Sequence, residues 1–266
     1  MNILFGKEGI VSYLSALSGF FAEKSVPPEN AGWKLFGLTH ILWIVLPIAG
    51  IVALYYTFKK HMRAGEITLY VFAAIMLCLR FTKYVVIRPN YWGYDWIKII
   101  PYELCTISSF VMPFLVFFKS KKLSTYLFPP AIMGGAVTLL YADWVFNGQG
   151  INFNKLESLT VHILLIAIPF ISVAVGRIEF DIKKIYRPII ATAALVVYAA
   201  MANAWFEPGS NHMYLNENPL DFNLFGNAHH MFMFALIFFI GLVGIYSPSL
   251  IALIRSRKKN KSQIKT

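Results

Sequence analysis

Few side chains in this sequence could do chemistry, and most of them stand in apolar surroundings. Cys105 has Tyr102 and Ser109 at i−3 and i+4, on its own helix face, with Thr106 directly after it. A thiol attacks as its thiolate, which needs an adjacent base or cation. His162 could be that base, and Arg80 or Lys83 could stabilise an anion. A plainer reading stands beside this one. Buried cysteine usually packs as a small inert hydrophobe, and a histidine near a helix end more often caps or hydrogen-bonds a neighbour. A metal site drawn from His40, His162, His229 and His230 is a third reading. No H-x-x-x-H or C-x-x-C spacing supports it, so no metal and no cofactor is expected.

These residues are far apart in sequence, so only the elements that carry them can bring them together. The chain has 266 residues, 58% hydrophobic and 14% charged, with a mean hydropathy of +0.60. A soluble domain carries about 25% charged residues. Apolar runs of about 20 residues recur, each long enough to cross a bilayer as a helix. The composition excludes a soluble enzyme, a disordered chain and a disulfide scaffold, since both cysteines, Cys78 and Cys105, lie inside apolar runs. The expected fold class is all-α: a polytopic membrane protein with seven transmembrane helices over 35–58, 67–87, 99–118, 122–143, 157–176, 186–206 and 228–252. Residues 1–34 read as an amphipathic surface segment, with Ile10, Leu14, Leu17 and Phe21 at helical spacing. A cleaved signal segment is the alternative there. Residues 35–252 form the membrane domain and 253–266 a basic tail.

Orientation follows from loop charge, because cytoplasmic loops retain an excess of Lys and Arg. One set of alternate loops carries Lys59, Lys60 and Arg63, then Lys119, Lys121 and Lys122, then Arg177, Lys183, Lys184 and Arg187. The tail adds Arg255, Arg257, Lys258, Lys259, Lys261 and Lys265 to that side, against Lys7, Lys24, Lys34, Arg88, Lys98 and Lys155 on the other. The bias puts the N-terminus outside and the C-terminus in the cytoplasm, as suits a bacterial plasma membrane. The net charge of +11 then reads as topology signal and contact with anionic headgroups. The expected partners are membrane lipids, not nucleic acid.

An ionisable group in hydrocarbon costs about 2.5–3.5 kcal/mol on insertion scales, so each needs a reason. His40, Glu103, Cys105 and His162 lie near the starts of outward-to-inward spans, with His229 and His230 at the mouth of the last. Arg80, Lys83, Asp143 and Asn203 lie near the ends of spans running the other way. At about 1.5 Å per residue, nearly all fall roughly within 12 Å of the outer interface. This layering implies one polar chamber opening toward the outer leaflet. Asp143 and Glu103 read as counter-ions of Arg80 and Lys83, unless the two cations snorkel to headgroups. Asn203 could instead be a helix-to-helix hydrogen bond.

The run Pro101-Tyr102-Glu103-Leu104-Cys105, the histidines His40 and His162, and Asn203 followed by Gly209-Ser210-Asn211-His212-Met213-Tyr214-Leu215 and Pro219 share a pattern. Together they resemble the YwaF-like family of bacterial integral membrane proteins, which also includes a eukaryotic transmembrane phospholipid acyltransferase. The likeness covers most of residues 35–252. Glu103 stands where the family pattern has His, and His212 where it has Tyr. The resemblance implies acyl transfer: Cys105 attacks a lipid ester, His162 acts as base and then acid, and Asn203 or Arg80 stabilises the oxyanion. Asn211 would belong to the substrate-binding or charge-stabilising set with His40, Arg80, Lys83, Glu103, Asp143, Asn203, His229 and His230. The acceptor would be a lysolipid, or water in a hydrolase. The rival reading is a non-catalytic lipid- or solute-binding or transport-type membrane protein, for which Pro129-Pro130 and Gly134-Gly135 could break span 4.

Overall fold

The computed structural model describes residues 20–21, 29–87, 97, 100–149, 151–220, 223–226 and 229–263. Among them, seven α-helices follow one another: α1 (Leu38–Lys60), α2 (Met62–Phe81), α3 (Leu104–Phe117), α4 (Lys121–Leu140), α5 (Phe153–Ala174), α6 (Tyr186–Met201) and α7 (Met231–Gln263). Two of them, α2 and α6, run on into wider π-helical turns, Thr82–Ile87 and Ala202–Phe206. Six of the seven are long and apolar enough to cross a membrane; α3 is apolar but shorter, at 14 residues. The protein is thus an all-α polytopic membrane protein. Most of the 1–34 segment, with Arg88 and Lys98, lies outside the described residues. Its last six residues form β1 (Glu29–Lys34), which pairs antiparallel with β2 (Asn147–Gln149).

The hub is α5. In its most apolar window 67% of residues are buried, against 11% in α1 and in α7. Leu159, Val161, Leu165, Ile168 and Ile171 fill its faces, and α1, α2, α3 and α4 pack around it. In α1 and α7, by contrast, Leu46, Val52, Phe239 and Ile240 stay exposed, as apolar side chains facing lipid should. The last helix also continues beyond the expected end of span 7 at residue 252, to Gln263.

Two expected features change. First, α3 begins late. Pro101 disfavours helical backbone at the residue before it, and Glu103 is still extended, at φ −83° and ψ 142°. The helix therefore starts at Leu104, and Cys105 stands in its first turn rather than deep in a span beginning at 99. Second, α4 runs unbroken through Pro129, Pro130, Gly134 and Gly135, so the helix break that favoured a transporter is absent. The glycines serve close packing instead. A Cβ on Gly134 would lie 2.7 Å from Cys105 Sγ, and one on Gly135 would lie 2.8 Å from the His162 carbonyl oxygen. Helix α4 is thus wedged between α3 and α5 at the level of both candidate reactive residues.

The ends are fastened by polar contacts. His40, fully buried, accepts the Phe36 N–H at Nδ1 (3.0 Å) and donates from Nε2 to the Leu139 carbonyl (2.8 Å). Its ring lies 4.5 Å from that of Phe146. Both ring nitrogens are spent on joining the start of α1 to the end of α4. At the opposite end, Arg177 donates from Nε to Glu66 Oε1 (2.6 Å), from Nη1 to the Val116 carbonyl (2.9 Å) and from Nη2 to the other Glu66 oxygen. That one guanidinium ties together α2, α3 and the segment after α5.

Gly135→Ala should lower stability by about 1–3 kcal/mol, since the new methyl meets helix backbone that cannot move aside cheaply. Gly50→Ala on α1, where nothing lies within 4 Å, should be neutral. Thermal unfolding of the two detergent-purified variants checks both.

Candidate functional site

A buried charge triad closes the polar end of the bundle. From α2, Arg80 reaches Glu157 Oε1 on α5 through Nη1 (2.9 Å), and Lys83 Nζ reaches Glu157 Oε2 (2.9 Å). The Glu157 side chain is 0% exposed and that of Arg80 4%. Arg80 Nε also donates to Ser109 Oγ on α3 (2.6 Å), and that hydroxyl donates to the Thr106 carbonyl (2.7 Å). The π-turn after Phe81 matters here, because it carries Lys83 to the same carboxylate that Arg80 holds one turn earlier.

This corrects the expected counter-ions. Glu103 bonds to the loop after α6, and Asp143 is exposed, its Oδ1 accepting the Trp144 N–H (2.7 Å). Sequence reasoning missed Glu157 because it began span 5 there. Asn152 caps α5 by accepting the Lys155 N–H (3.0 Å), so the helix starts a turn earlier and Glu157 lies inside it. The available signal was Arg80 and Lys83 themselves: two cations within one span require a carboxylate from another.

Beside the triad stand the two candidate reactive residues. Cys105 is the second residue of α3, where unpaired backbone N–H groups and the positive end of the helix dipole favour negative charge. Its sulfur lies 3.9 Å from Thr138 Oγ1, one turn beyond Gly134 on α4. His162 is buried, with Nδ1 2.7 Å from the Ser158 carbonyl. A carbonyl only accepts, so Nδ1 carries the proton, and the neutral ring keeps its lone pair on Nε2. Ser158 Oγ lies 3.2 Å from the same Nδ1. No hydrogen bond joins Cys105 and His162; the Cys105 sulfur faces Gly134 of α4, and the His162 backbone carbonyl faces Gly135.

A second polar group covers the start of α3. Asn203 lies in the π-turn after α6, and its Oδ1 accepts the Ser210 hydroxyl and the His212 N–H (both 2.9 Å). Its Nδ2 donates to the His212 carbonyl (3.2 Å). Glu103 Oε2 accepts the Met213 N–H (3.0 Å), and the Tyr102 and His212 rings lie 4.7 Å apart. Met213 and Tyr214 both hold positive φ, 53° and 54°, which costs a non-glycine residue about 1–3 kcal/mol. Partial burial, with Glu103, Asp143 and Cys105 nearby, pushes the Tyr214 phenol above its usual range.

The remaining candidates organise this loop. Asn211 accepts the N–H groups of Asn216 (3.0 Å) and Glu217 (3.1 Å). His230 donates from Nε2 to the Tyr214 carbonyl (2.6 Å), and His229 is exposed, stacked on His230 at 4.4 Å. Among the described residues, no group of three or more His, Cys, Asp or Glu side chains could hold a metal ion.

A family model described as the TMEM164 family matches residues 35–256, which takes in all seven helices apart from the last turns of α7. No curated protein and no solved structure matches the chain.

Glu157→Gln leaves the buried Arg80 and the partly buried Lys83 without their carboxylate and should cost on the order of 3–5 kcal/mol. Glu66→Gln at the opposite end, where the side chain is 30% exposed, should cost less. Comparing the melting temperatures of the two variants tests whether the buried triad or the peripheral pair anchors the bundle.

Proposed function

Given that the chain belongs to the TMEM164 family, a family of membrane proteins, we propose that it is a membrane-embedded acyltransferase or hydrolase acting on an acyl-lipid ester, with Cys105 as nucleophile. The observation that carries this reading is the position of Cys105 in the first turn of α3, one turn before Ser109, whose hydroxyl accepts from the Arg80 guanidinium. The resemblance to YwaF-like proteins supports the same chemistry.

In this reading the Cys105 thiolate attacks the ester carbonyl. A C–S bond forms, the carbonyl π electrons move onto oxygen, and the first-turn N–H groups of α3 together with Arg80 hold that oxyanion. Collapse breaks the C–O bond, and the departing lysolipid oxygen takes up, by way of water, the proton that the Cys105 thiol gave up on ionising, leaving a thioester on Cys105. A lysolipid hydroxyl or water then gives its proton to His162 Nε2 and attacks the thioester, which releases the thiolate. Because the Cys105 sulfur faces Gly134 and the His162 carbonyl faces Gly135, with no hydrogen bond joining the two residues, the proton passes through the acceptor hydroxyl and not directly between the two side chains. The Thr138 hydroxyl steadies the sulfur from the α4 side.

Intact-mass measurement of detergent-purified protein after incubation with mixed phospholipids tests this. An acyl-sized adduct that hydroxylamine removes should form on the native protein and on Cys78→Ala, but not on Cys105→Ala. His162→Ala should still acylate, with its turnover to an acceptor reduced by about 10²–10⁴-fold. If no adduct forms on the native protein, the covalent reading fails, and a lipid-binding role takes its place.

A further inference from the structure

The loop after α6 holds a charge arrangement that acyl transfer does not use. His212 lies between two carboxylates. Its Nδ1 is 3.2 Å from Glu103 Oε1, at the start of α3, and its Nε2 is 2.6 Å from Glu207 Oε2, at the end of α6. Carboxylates only accept hydrogen bonds, so an imidazole bonded to both must carry a proton on each nitrogen. The arrangement therefore holds one more proton than a neutral ring between two carboxylates. We propose that His212 is a proton-binding latch: as imidazolium it fastens the 207–217 loop to the first turn of α3, and on giving its second proton to water it lets the loop lift.

The loop is fastened in two ways, and only one of them depends on the proton. Asn203 grips Ser210 and the His212 backbone through neutral hydrogen bonds, anchoring the loop to α6. The hydrogen-bonded attachment to the start of α3 runs through Glu103, which bonds the His212 ring with one oxygen and the Met213 N–H with the other, and the Tyr102 ring lies against the His212 ring beside it. Bonds to ionised groups are the stronger kind, and the neutral ring can donate to only one of its two carboxylates. The titratable groups around the latch are Glu103 and Tyr102 from the start of α3, Glu207 and Tyr198 from α6, and Tyr214 and His230 from the far side of the loop. Among the described residues no Lys or Arg is bonded to either carboxylate, and the imidazolium is the positive charge that both contact. Met213 and Tyr214, both at positive φ, would relax once the loop is freed. The segment released rests on the turn that carries Cys105, so the latch controls access to that residue. It stands on its own geometry, whether or not Cys105 becomes acylated.

Amide hydrogen exchange of the full chain in detergent, at about pH 5 and about pH 8, brackets the range in which histidines ordinarily titrate. After correction for intrinsic exchange, protection of the Met213 amide should be about tenfold or more higher at the acidic pH, the factor expected of a hydrogen bond to a charged group. The Asn216 and Glu217 amides, held by Asn211 within the loop, should not change. His212→Gln should abolish the difference. Equal Met213 protection at both pH values, or a pH response that survives His212→Gln, overturns the proposal. Should that variant fail to fold, ¹⁵N spectra of histidine-labelled native protein decide: both His212 nitrogens protonated at the acidic pH supports the latch, and a singly protonated ring there overturns it.

Discussion

A carboxylate with no access to water must find its cations inside the bundle, and this demand sets the arrangement of the polar end. Glu157 is such a group, and Arg80 and Lys83 answer it from another helix. Breaking a buried ion pair by removing one partner costs far more than the pair contributes against an apolar replacement. The triad therefore acts less as a source of stability than as a condition on geometry: α2 and α5 must stand in one register, or charge is stranded in hydrocarbon. The bond from Arg80 to Ser109 extends the condition to α3. Once those three helices are fixed, α4 can enter between α3 and α5 only where it has no side chain, which is at Gly134 and Gly135.

The two π-turns belong to the same requirement. Each lies at the polar end of a helix, after Phe81 on α2 and after Met201 on α6. A π-turn adds a residue to the helical circuit and so re-aims the side chains beyond it; such turns are common at functional sites. On α2 it brings Lys83 to the carboxylate that Arg80 already holds, and on α6 it carries Asn203, which ties down the following loop. No such turn occurs at the other end, where Arg177 clamps Glu66 and the Val116 carbonyl on regular helices. Irregular backbone is concentrated where polar side chains converge.

Much of the fold was legible because the bilayer constraint is severe. Among the described residues, six helices of membrane-crossing length and a shorter seventh occupy the apolar runs, with α3 starting late and α7 running past its span to Gln263, since uncharged stretches of that length have few other ways to satisfy their backbone. The error at α3 came from treating an apolar run as a helix when Pro101 and Glu103 keep its first residues extended. The site was legible as a layer but not as a set of partners. Depth along a helix follows from residue counting; which side chain faces which depends on helix rotation, and that is set by packing. Hence Arg80 and Lys83 were rightly placed in one layer, while their partner Glu157 was missed and Glu103 was misassigned. His40 was counted into the same layer, yet both of its nitrogens join α1 to α4. His212 could be named only as part of a segment, because its role depends on Glu103 and Glu207 meeting it from two different helices.

The contrast between the core and its covering loop follows from how each is held. In the core, Arg80 and Glu157 are buried together and Lys83 is partly buried beside them, where little water competes for their bonds. The 207–217 loop is held by side-chain hydrogen bonds from Asn203, Glu103 and His230 rather than by packed helix, and two of its non-glycine residues sit at positive φ against local preference. A segment fastened this way is drawn from the low-stability end of a structure, as elements that must move to admit a ligand are. Cys105 lies at the boundary between the two regimes. The triad fixes the helix that carries it from below, and Glu103, two residues earlier, receives the loop from above. In the proposed reading, a nucleophile acting on lipid needs both conditions: a framework that does not shift as charge develops on the substrate, and a cover that can lift to let an acyl chain in. The sequence meets them with separate residues, so a change in the loop can alter access to Cys105 without disturbing the helices that hold it.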